Sequence, residues 1–130
     1  MKPTIRVVAA VIYDPLGRVL VAQRPAGKML AGCWEFPGGK IEAEESGAAA
    51  LRRELLEELG IQVEAMRPAF ELTHEYPERH VELSLWEVDQ DTGVPAGLEG
   101  QSLRWELPAA LRSIPLLPAD LPIIDWLESD

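Results

Sequence analysis

The residues from Ser46 to Gly60 constrain the fold most, because they predict one amphipathic helix with both of its ends marked. A serine caps a helix N-terminus through its hydroxyl oxygen, and a glycine suits the left-handed backbone just past a helix end. Between them, Leu51, Leu55 and Leu59 recur every four residues and form one apolar stripe. A helix of this kind, ending at about Leu59, needs a sheet or another helix to cover its stripe.

The remainder of the chain predicts strands on both sides of this helix. Apolar or alternating runs predict strands at residues 5–13, 18–24, 69–74, 79–88 and 103–105. Short helices are predicted near residues 109–112 and 121–128. The Asp-Pro-Leu-Gly turn at residues 14–17 predicts a hairpin between the first two strands, and residues 24–40 and 89–100 are typical of loops. This order predicts an α/β fold, a mixed β-sheet with helices on both faces.

Length and charge narrow the possible partners. The 130 residues fit one domain over residues 1–130, and the formal net charge of −10 argues against a nucleic-acid polymer, which needs clustered lysine and arginine. The longest apolar run, residues 7–13, is far shorter than the roughly 20 residues that span a bilayer, so no membrane partner is expected. Because Cys33 is a single cysteine and no secretion signal is seen, we expect a cytoplasmic protein.

Three glutamates lie on one face of the predicted helix, within a single turn. Glu54, Glu57 and Glu58 stand at positions i, i+3 and i+4. Like charges at this spacing repel one another by roughly 0.2–0.5 kcal/mol per pair unless cations bind them. Oxygen ligands on an open surface suit Mg²⁺ or Mn²⁺, which keep several bound waters. The alternative is an exposed acidic face that pairs with Arg52 and Arg53.

The spacing around these glutamates belongs to a longer pattern. Five residues separate Gly39 from Glu45, seven more separate Glu45 from Arg53, and Glu-Leu-Leu-Glu-Glu-Leu-Gly-Ile follows at residues 54–61. This order matches the signature of the Nudix hydrolases at every defined position, so the chain resembles that family. The resemblance implies a Nudix α/β/α sandwich. It also implies an enzyme in which a metal-activated water attacks a phosphorus of a nucleoside diphosphate linked to another group.

The resemblance assigns roles to residues of this segment. It makes three glutamates the metal-binding carboxylates: Glu54, Glu57 and Glu58. The backbone carbonyl of Gly38 would be a further metal ligand, although a glycine there also suits a turn. Arg53 would belong to the catalytic site because, with Glu45, it holds the helix in register with the preceding loop. The implied cofactor is Mg²⁺ or Mn²⁺.

Two further segments resemble the MutT branch of the family. They are Trp-Glu-Phe-Pro-Gly-Gly-Lys-Ile-Glu at residues 34–42 and Tyr-Pro-Glu-Arg-His at residues 76–80. The likeness implies that Arg24 and Lys40 face the triphosphate, where their positive charge offsets that of the phosphates. It assigns the nucleobase pocket to Phe36, Tyr76 and Arg79. Glu99 lies where MutT-like proteins carry a loop glutamate and would be a fourth catalytic carboxylate, the alternative being an exposed loop side chain.

Asp120 departs from the MutT pattern, which has asparagine at the matching position to contact the edge of oxidised guanine. An ionised aspartate only accepts hydrogen bonds, which favours a base with an amino group, such as cytosine or an adenine derivative. A protonated aspartate could still donate to oxidised guanine. A related branch, of the CTP pyrophosphohydrolase type, carries a similar Pro-Ala-Asp sequence. The structural alternative makes Asp120 the N-cap of the last helix, with Pro122 in its first turn.

The resemblance therefore predicts a magnesium-dependent hydrolase that converts a canonical or damaged nucleoside triphosphate to the monophosphate and pyrophosphate. One alternative keeps the chemistry but changes the substrate to ADP-ribose, another nucleotide sugar or a dinucleoside polyphosphate. Pro77 does not separate these alternatives, because both branches carry a proline there. A nucleotide-binding module without catalysis would be expected to lose one of the three helix glutamates, and this chain keeps them all. A chain this short is expected to act as a monomer.

Overall fold

The computed structural model describes residues 2–129, which form strands, two α-helices and short 3₁₀ helices. The strands are β1 Thr4–Ile12, β2 Val19–Gln23, β3 Trp34–Glu35, β4 Gly38–Lys40, β5 Gln62–Tyr76, β6 Arg79–Thr92 and β7 Leu103–Glu106. The α-helices are α1 Gly47–Leu59 and α2 Leu121–Glu128, and the 3₁₀ helices are Pro108–Ser113 and Pro118–Asp120. The main helix thus has strands before and after it, as predicted.

The strands form two sheets. A four-stranded mixed sheet has the order β4-β1-β6-β5, in which β1 runs parallel to β6 and the other neighbours are antiparallel. A three-stranded antiparallel sheet has the order β3-β2-β7. Parallel neighbours need a crossover connection, and α1 lies in the connection between β1 and β6.

Strand β1 lies between two hydrophobic clusters, because its side chains alternate between the two faces of the sheet. Val8, Ala10 and Ile12 pack with the leucine stripe of α1. Ala9 and Val11 belong to the opposite cluster, which also contains buried residues of α2. The mixed sheet therefore has a helix on each face, as the order of elements predicts.

Both α-helices have the bounds predicted from the sequence. The Ser46 hydroxyl oxygen accepts a hydrogen bond from the backbone N–H of Ala49 at 3.1 Å and so caps α1. Gly60 follows the helix in the left-handed conformation, with φ of 73°, and its N–H donates to the Leu56 carbonyl. Within residues 2–129, no helix is both long enough and apolar enough to cross a membrane.

The predicted hairpin between the first two strands is wrong beyond its turn. Asp14 does hold a tight reversal, since its carboxylate accepts hydrogen bonds from the backbone N–H groups of Leu16 and Arg18. The Tyr13–Val19 bridge closes this turn, but β1 and β2 then enter different sheets. Most of β2 is buried, and it pairs with β3 and β7, a tertiary preference that a local turn signal does not contain.

Two segments predicted as loops contain strands. Residues 24–40 include β3 and β4, which are too short to give an alternating pattern. Residues 89–92, predicted as the start of a loop, extend β6 to Thr92. Its partner β5 begins at Gln62 instead of near residue 69, and register shifts within residues 63–66 and 68–70 interrupt the period-two pattern.

Candidate active site

A cavity of about 490 Å³ brings together segments that are distant in the sequence. Every predicted site residue except Arg53 and Glu57 lines it. The predicted residues in its lining are Arg24, Phe36, Gly38, Lys40, Glu54, Glu58, Tyr76, Arg79, Glu99 and Asp120. Sequence patterns that lie far apart along the chain therefore converge on one concave surface, which is the usual form of a small-molecule site.

Strand β4 passes so close to β1 and α1 that two of its positions have no room for a side chain. A Cβ atom at Gly38 would overlap the backbone carbonyl oxygen of Val8. A Cβ atom at Gly39 would overlap the Glu54 carboxylate. The paired glycines therefore let the backbone of β4 lie against the acidic face of α1, with Gly38 and Glu54 lining the same cavity.

Arg53 connects α1 to the loop before it through both edges of its guanidinium group. Nε and Nη2 each donate to the Glu45 carboxylate at 2.8 Å, and Nη2 also donates to the Lys40 carbonyl oxygen at 3.1 Å. Nη1 donates to Glu54 at 2.7 Å and to Glu57 at 3.2 Å. The hydrogen bond from Arg53 lowers the pKa of the Glu45 carboxyl to about 2. Arg53 thus orients two helix glutamates without lining the cavity itself.

Arg53→Lys is expected to lower kcat by about 10- to 100-fold, as losses of residues that orient metal ligands commonly do. A lysine ammonium cannot reproduce the planar fork that holds Glu45, Glu54 and the Lys40 carbonyl at once. Steady-state kinetics with Mg²⁺ measure the effect. Arg52→Lys is the matched control, because Arg52 is exposed on the same helix and forms no ion pair with the described residues. Equal kinetics for the two variants would contradict an orienting role for Arg53.

Glu54 and Glu58 lie one helical turn apart and share the acidic end of the cavity with Glu99. Burial, followed by the hydrogen bond and the charge of Glu54, raises the pKa of the Glu58 carboxyl to about 10. The charges of Glu99 and Glu35 act in the same direction. Carboxylates crowded in this way favour a cation among them, because a cation offsets their mutual repulsion. Oxygen donors of this kind fit Mg²⁺ or Mn²⁺.

Glu57 stands apart from this pair. Its side chain is 52% exposed, and it does not line the cavity. Among residues 2–129, no three histidine, cysteine, aspartate or glutamate side chains converge closely enough to hold a metal ion. The Arg53 guanidinium holds both Glu54 and Glu57, so a cation that recruited all three helix glutamates would compete with it.

Glu35 is a cavity residue that the sequence interpretation did not single out. Its carboxylate accepts a hydrogen bond from Arg24 Nη1 at 3.0 Å, while Arg24 Nε donates to the Met29 carbonyl oxygen at 2.7 Å. Burial raises the pKa of Glu35, and the charges of Arg24 and Lys28 oppose that effect. The sequence feature that could have identified Glu35 as a site residue is its position within the MutT-like segment at residues 34–42. Of the two predicted phosphate-facing cations, Arg24 is thus paired, whereas Lys40 is exposed on the cavity lining.

Asp120 is only 3% exposed, the one charged residue buried to this degree in the described chain. Its Oδ2 accepts a hydrogen bond from the backbone N–H of Phe36 at 3.0 Å. As the structural alternative predicts, Asp120 occupies the N-cap position of α2 with Pro122 in the first turn, but its backbone angles are helical (φ −91°, ψ −10°) and its side chain makes no capping hydrogen bond. Burial raises its pKa to about 7, opposed by the Phe36 N–H and Arg24 and assisted by the charge of Glu35.

Tyr76 and Arg79 flank the turn between β5 and β6 and also line the cavity. The Tyr76 hydroxyl accepts a hydrogen bond from the backbone N–H of Ala119 at 3.1 Å, which fixes the ring beside the Asp120 segment. The Arg79 guanidinium lies 5.8 Å from the centroid of that ring, within cation–π range. Its Nε is buried without a hydrogen-bond partner among the described residues. A buried donor of this kind favours binding of an acceptor.

Comparison with known proteins decides the family. A sequence profile described as the NUDIX domain matches residues 7–126. The chain belongs to the Nudix hydrolase family. The resemblance predicted from the spacing of glycines and glutamates at residues 39–61 is therefore confirmed, and so is the prediction that the protein is an enzyme.

Relatives of this Nudix hydrolase match it along nearly their whole length. It is 42% identical to CTP pyrophosphohydrolase of Escherichia coli (strain K12) over 121 residues, covering 93% of this chain and 89% of that protein. It is 34% identical to 8-oxo-dGTP diphosphatase of the same organism over 124 residues, covering 95% and 96%. The crystal structure of a MutT NUDIX hydrolase from Burkholderia pseudomallei matches with a TM-score of 0.83 and 25% identity, covering 98% and 100%. These similarities confirm the MutT-like branch and the α/β Nudix sandwich.

The Nudix cavity has two chemically different ends. One end groups the carboxylates of Glu54 and Glu58 with the Glu99 loop. The other end places Asp120 beside buried aromatic residues of the core. Glu35 raises the pKa of a carboxyl at each end, Glu58 at one and Asp120 at the other, so the two ends are close enough to interact electrostatically. One ligand with an anionic part and a ring can therefore contact both.

Proposed function

We propose that this enzyme is a Mg²⁺-dependent nucleoside triphosphate pyrophosphohydrolase, which converts a canonical or oxidised nucleoside triphosphate to the monophosphate and pyrophosphate. The observation that carries the proposal is a single cavity of about 490 Å³ lined by Glu54, Glu58 and Glu99 and also by Tyr76 and Asp120. Carboxylates suit the metal that accompanies a polyphosphate, and aromatic and hydrogen-bonding groups suit a nucleobase. The relatives named for CTP and 8-oxo-dGTP support the same substrate class.

At the acidic end, the proposed metal ligands are Glu54, Glu58 and the carbonyl oxygen of Gly38, joined by Glu57 when its carboxylate exchanges the Arg53 guanidinium for the cation. When bound, Mg²⁺ or Mn²⁺ lowers the pKa of a water molecule and offsets charge on the leaving pyrophosphate. Glu99 lies on an exposed loop at the same end and supplies a further carboxylate, which can ligate or accept the proton of the attacking water. Charge neutralisation of this kind contributes several kcal/mol of barrier reduction in metal enzymes.

Arg24 and Lys40 are the proposed partners of the triphosphate. Both line the cavity, and cationic donors form strong hydrogen bonds with phosphate oxygens. Arg24 already donates to Glu35 and to the Met29 carbonyl. A guanidinium carries five N–H donors, so Arg24 can keep these contacts and still donate to a phosphate.

Base recognition is assigned to Phe36, Tyr76, Arg79 and Asp120. The aromatic residues offer stacking surface, and the Arg79 Nε, which has no hydrogen-bond partner within the described part of the chain, offers a donor. Since the pKa of Asp120 is about 7, both of its protonation states are populated near neutral pH. The ionised form accepts from the amino group of cytosine or an adenine derivative, and the protonated form donates to oxidised guanine. The ratio of the two activities is therefore expected to depend on pH.

The proposed setting is the cytoplasmic nucleotide pool. There we expect the enzyme to act on free nucleotides as a monomer; one chain by itself supplies every proposed cavity residue, so the proposal requires no partner subunit. Removal of oxidised triphosphates before a polymerase uses them makes this a DNA-repair activity.

Chromatographic analysis of the products formed in the presence of Mg²⁺ tests the proposal, because it detects the pyrophosphate released from a triphosphate and also the mononucleotides released from ADP-ribose or a dinucleoside polyphosphate. The panel contains CTP, dCTP, ATP, dGTP, 8-oxo-dGTP, ADP-ribose and a dinucleoside polyphosphate. We expect the monophosphate and pyrophosphate from at least one triphosphate, with kcat/KM at least about tenfold above that for ADP-ribose, and no turnover after chelation. Turnover of ADP-ribose or the dinucleoside polyphosphate alone would place the enzyme in the alternative class. Nucleotide binding without any hydrolysis would instead indicate a non-catalytic nucleotide-binding module.

A further inference from the structure

The loop that carries Glu99 is attached to the C-terminal end of α1. The last carbonyl groups of a helix lack partners within the helix and need donors from elsewhere. Leu98 N–H donates to the Glu58 carbonyl oxygen at 3.0 Å, and Ala96 N–H donates to the Leu59 carbonyl oxygen at 3.1 Å. The loop thus completes the hydrogen bonding of the helix turn that contains a proposed metal ligand.

Gln101 adds a side-chain link between the same two segments. Its Nε2 donates to the Glu58 carbonyl oxygen at 3.2 Å, and its Oε1 accepts from the backbone N–H of Glu99 at 2.9 Å. Because one partner only accepts and the other only donates, the orientation of the amide is determined. Gln101 also lines the cavity and is partly buried, so its contacts lie beside the site.

The backbone of this loop is tightly constrained on either side of Glu99. Gly100 adopts the left-handed region with φ of 81°, and its N–H donates to the Gly97 carbonyl oxygen at 3.0 Å. A Cβ atom at Gly97 would overlap the Gln101 carbonyl oxygen. The Glu99 side chain is exposed and forms no hydrogen bond with the described residues. Its position therefore depends on its backbone, and the Gln101 amide is the side chain that holds that backbone N–H.

We propose that Gln101 is a positioning residue, which holds Glu99 in register with Glu58 by bonding the backbone of both. The inference rests on the proposed function, because it requires that Glu99 act in the reaction. Gln101 itself touches neither metal nor substrate in this proposal and acts through Glu99. Two amide contacts made from one side chain fix the loop more precisely than either contact alone, and catalysis is sensitive to displacements of about 1 Å.

The test is a double-mutant cycle of Gln101→Met with Glu99→Gln. Methionine keeps the length of the side chain but removes both hydrogen bonds. We expect Q101M to lower kcat about tenfold with KM changed less than about twofold, and the double variant to match E99Q. Gln62→Met is the matched control, since Gln62 is exposed and lies outside the cavity. Additive losses in the double variant would overturn this inference while leaving the proposed function intact. The same holds if Q101M has the kinetics of Q62M while E99Q is slow.

Mn²⁺ binding, measured by its electron paramagnetic resonance signal, gives a readout that does not depend on turnover. Q101M is expected to weaken Mn²⁺ binding in the wild-type background by about tenfold and to cause no further loss in the E99Q background. If E99Q itself weakens Mn²⁺ binding, unchanged Mn²⁺ affinity in Q101M would overturn the inference even if no triphosphate were a substrate. Should E99Q match the wild type in both kinetics and Mn²⁺ affinity, the role of Glu99 would fail and the inference with it.

Gln101→Glu covers the case in which Q101M does not fold. It retains the oxygen that accepts from the Glu99 N–H but loses the donor to the Glu58 carbonyl, and it adds negative charge beside the carboxylates. We expect its kcat to fall between those of the wild type and E99Q, with a Tm close to that of the wild type. Wild-type kcat and wild-type Mn²⁺ affinity in this variant would overturn the inference.

Discussion

Glu54→Gln is expected to lower kcat by about two to three orders of magnitude without loss of folded stability. Metal ions contribute several kcal/mol to such reactions, and each 1.36 kcal/mol corresponds to a factor of about ten in rate. Glutamine has the same shape as glutamate, so the packing against Gly39 and the bond from Arg53 can persist. What is lost is an anionic oxygen at the acidic end of the cavity, beside Glu58.

The stability of this variant separates a catalytic loss from unfolding. The Glu54 carboxylate contributes to the raised pKa of Glu58, so its charge disfavours ionisation of Glu58 in the absence of a cation. Neutralising Glu54 should therefore leave the Tm measured without metal unchanged or higher. Glu64→Gln is the control, because Glu64 is exposed on β5 and forms no ion pair with the described residues. A kcat for E54Q within about twofold of the control would show that the assignment of the metal site is wrong.

The helix that carries Glu54 could be predicted from the sequence because its determinants are local. Ser46 and Gly60 mark its ends, and the leucine stripe marks its buried face, so the observed bounds agree with the prediction. The strands are harder to predict than the helix, because tertiary pairing overrides the local sequence pattern. The turn at Asp14 predicts a hairpin, yet burial of β2 draws it into a separate sheet. In β5, irregularities in the pairing register interrupt the side-chain alternation on which strand prediction depends.

The candidate site likewise contains some contacts that the sequence predicts and others that it does not. The spacing of the helix glutamates predicts that Glu54 and Glu58 share one face, and both line the cavity. The spacing allows Arg53 to pair with Glu57 one turn further on, but it does not predict that Arg53 also bonds Glu45 and the Lys40 carbonyl. Nor does it predict that Gln101 reaches the Glu58 carbonyl across 43 positions of sequence. These contacts depend on loops whose conformations are fixed only when the sheets are assembled. A pattern search along the chain has no access to them.

Asp120→Asn is expected to change the pH dependence of stability more than any other substitution of an aspartate. The folded-state pKa of Asp120 is raised from 3.8 to about 7, mainly by burial, with Phe36 N–H and Arg24 opposing and Glu35 assisting. A raised pKa of an acid means that its contribution to stability is fully present below about pH 4 and is lost as pH rises to about 7. A change of this size corresponds to on the order of 4 kcal/mol.

Asparagine cannot ionise, so the variant should not show this loss. Urea unfolding from pH 5 to pH 8 should give a flatter profile for D120N, with a free energy of unfolding that exceeds that of the wild type by about 2–4 kcal/mol at pH 8. The asparagine carbonyl can still accept from the Phe36 N–H. Asp125→Asn, on the exposed face of the following helix α2, is the control and should run parallel to the wild type. Parallel profiles for all three proteins would contradict the burial of an ionisable carboxyl at residue 120.

The same substitution is expected to change the choice of base. The asparagine amide donates and accepts at every pH, as only the protonated aspartate does, so D120N should favour 8-oxo-dGTP over CTP by about 10-fold or more relative to the wild type. A good hydrogen-bonded base contact discriminates by roughly 1–3 kcal/mol, which sets this magnitude. Wild-type preference should move toward 8-oxo-dGTP as pH falls below about 7, whereas the preference of D120N should stay constant. Comparing kcat/KM for the two substrates from pH 6 to pH 8 measures both effects. If D120N ranked the two substrates as the wild type does at every pH, Asp120 would be a structural residue of the cavity wall and base choice would lie with Tyr76 and Arg79.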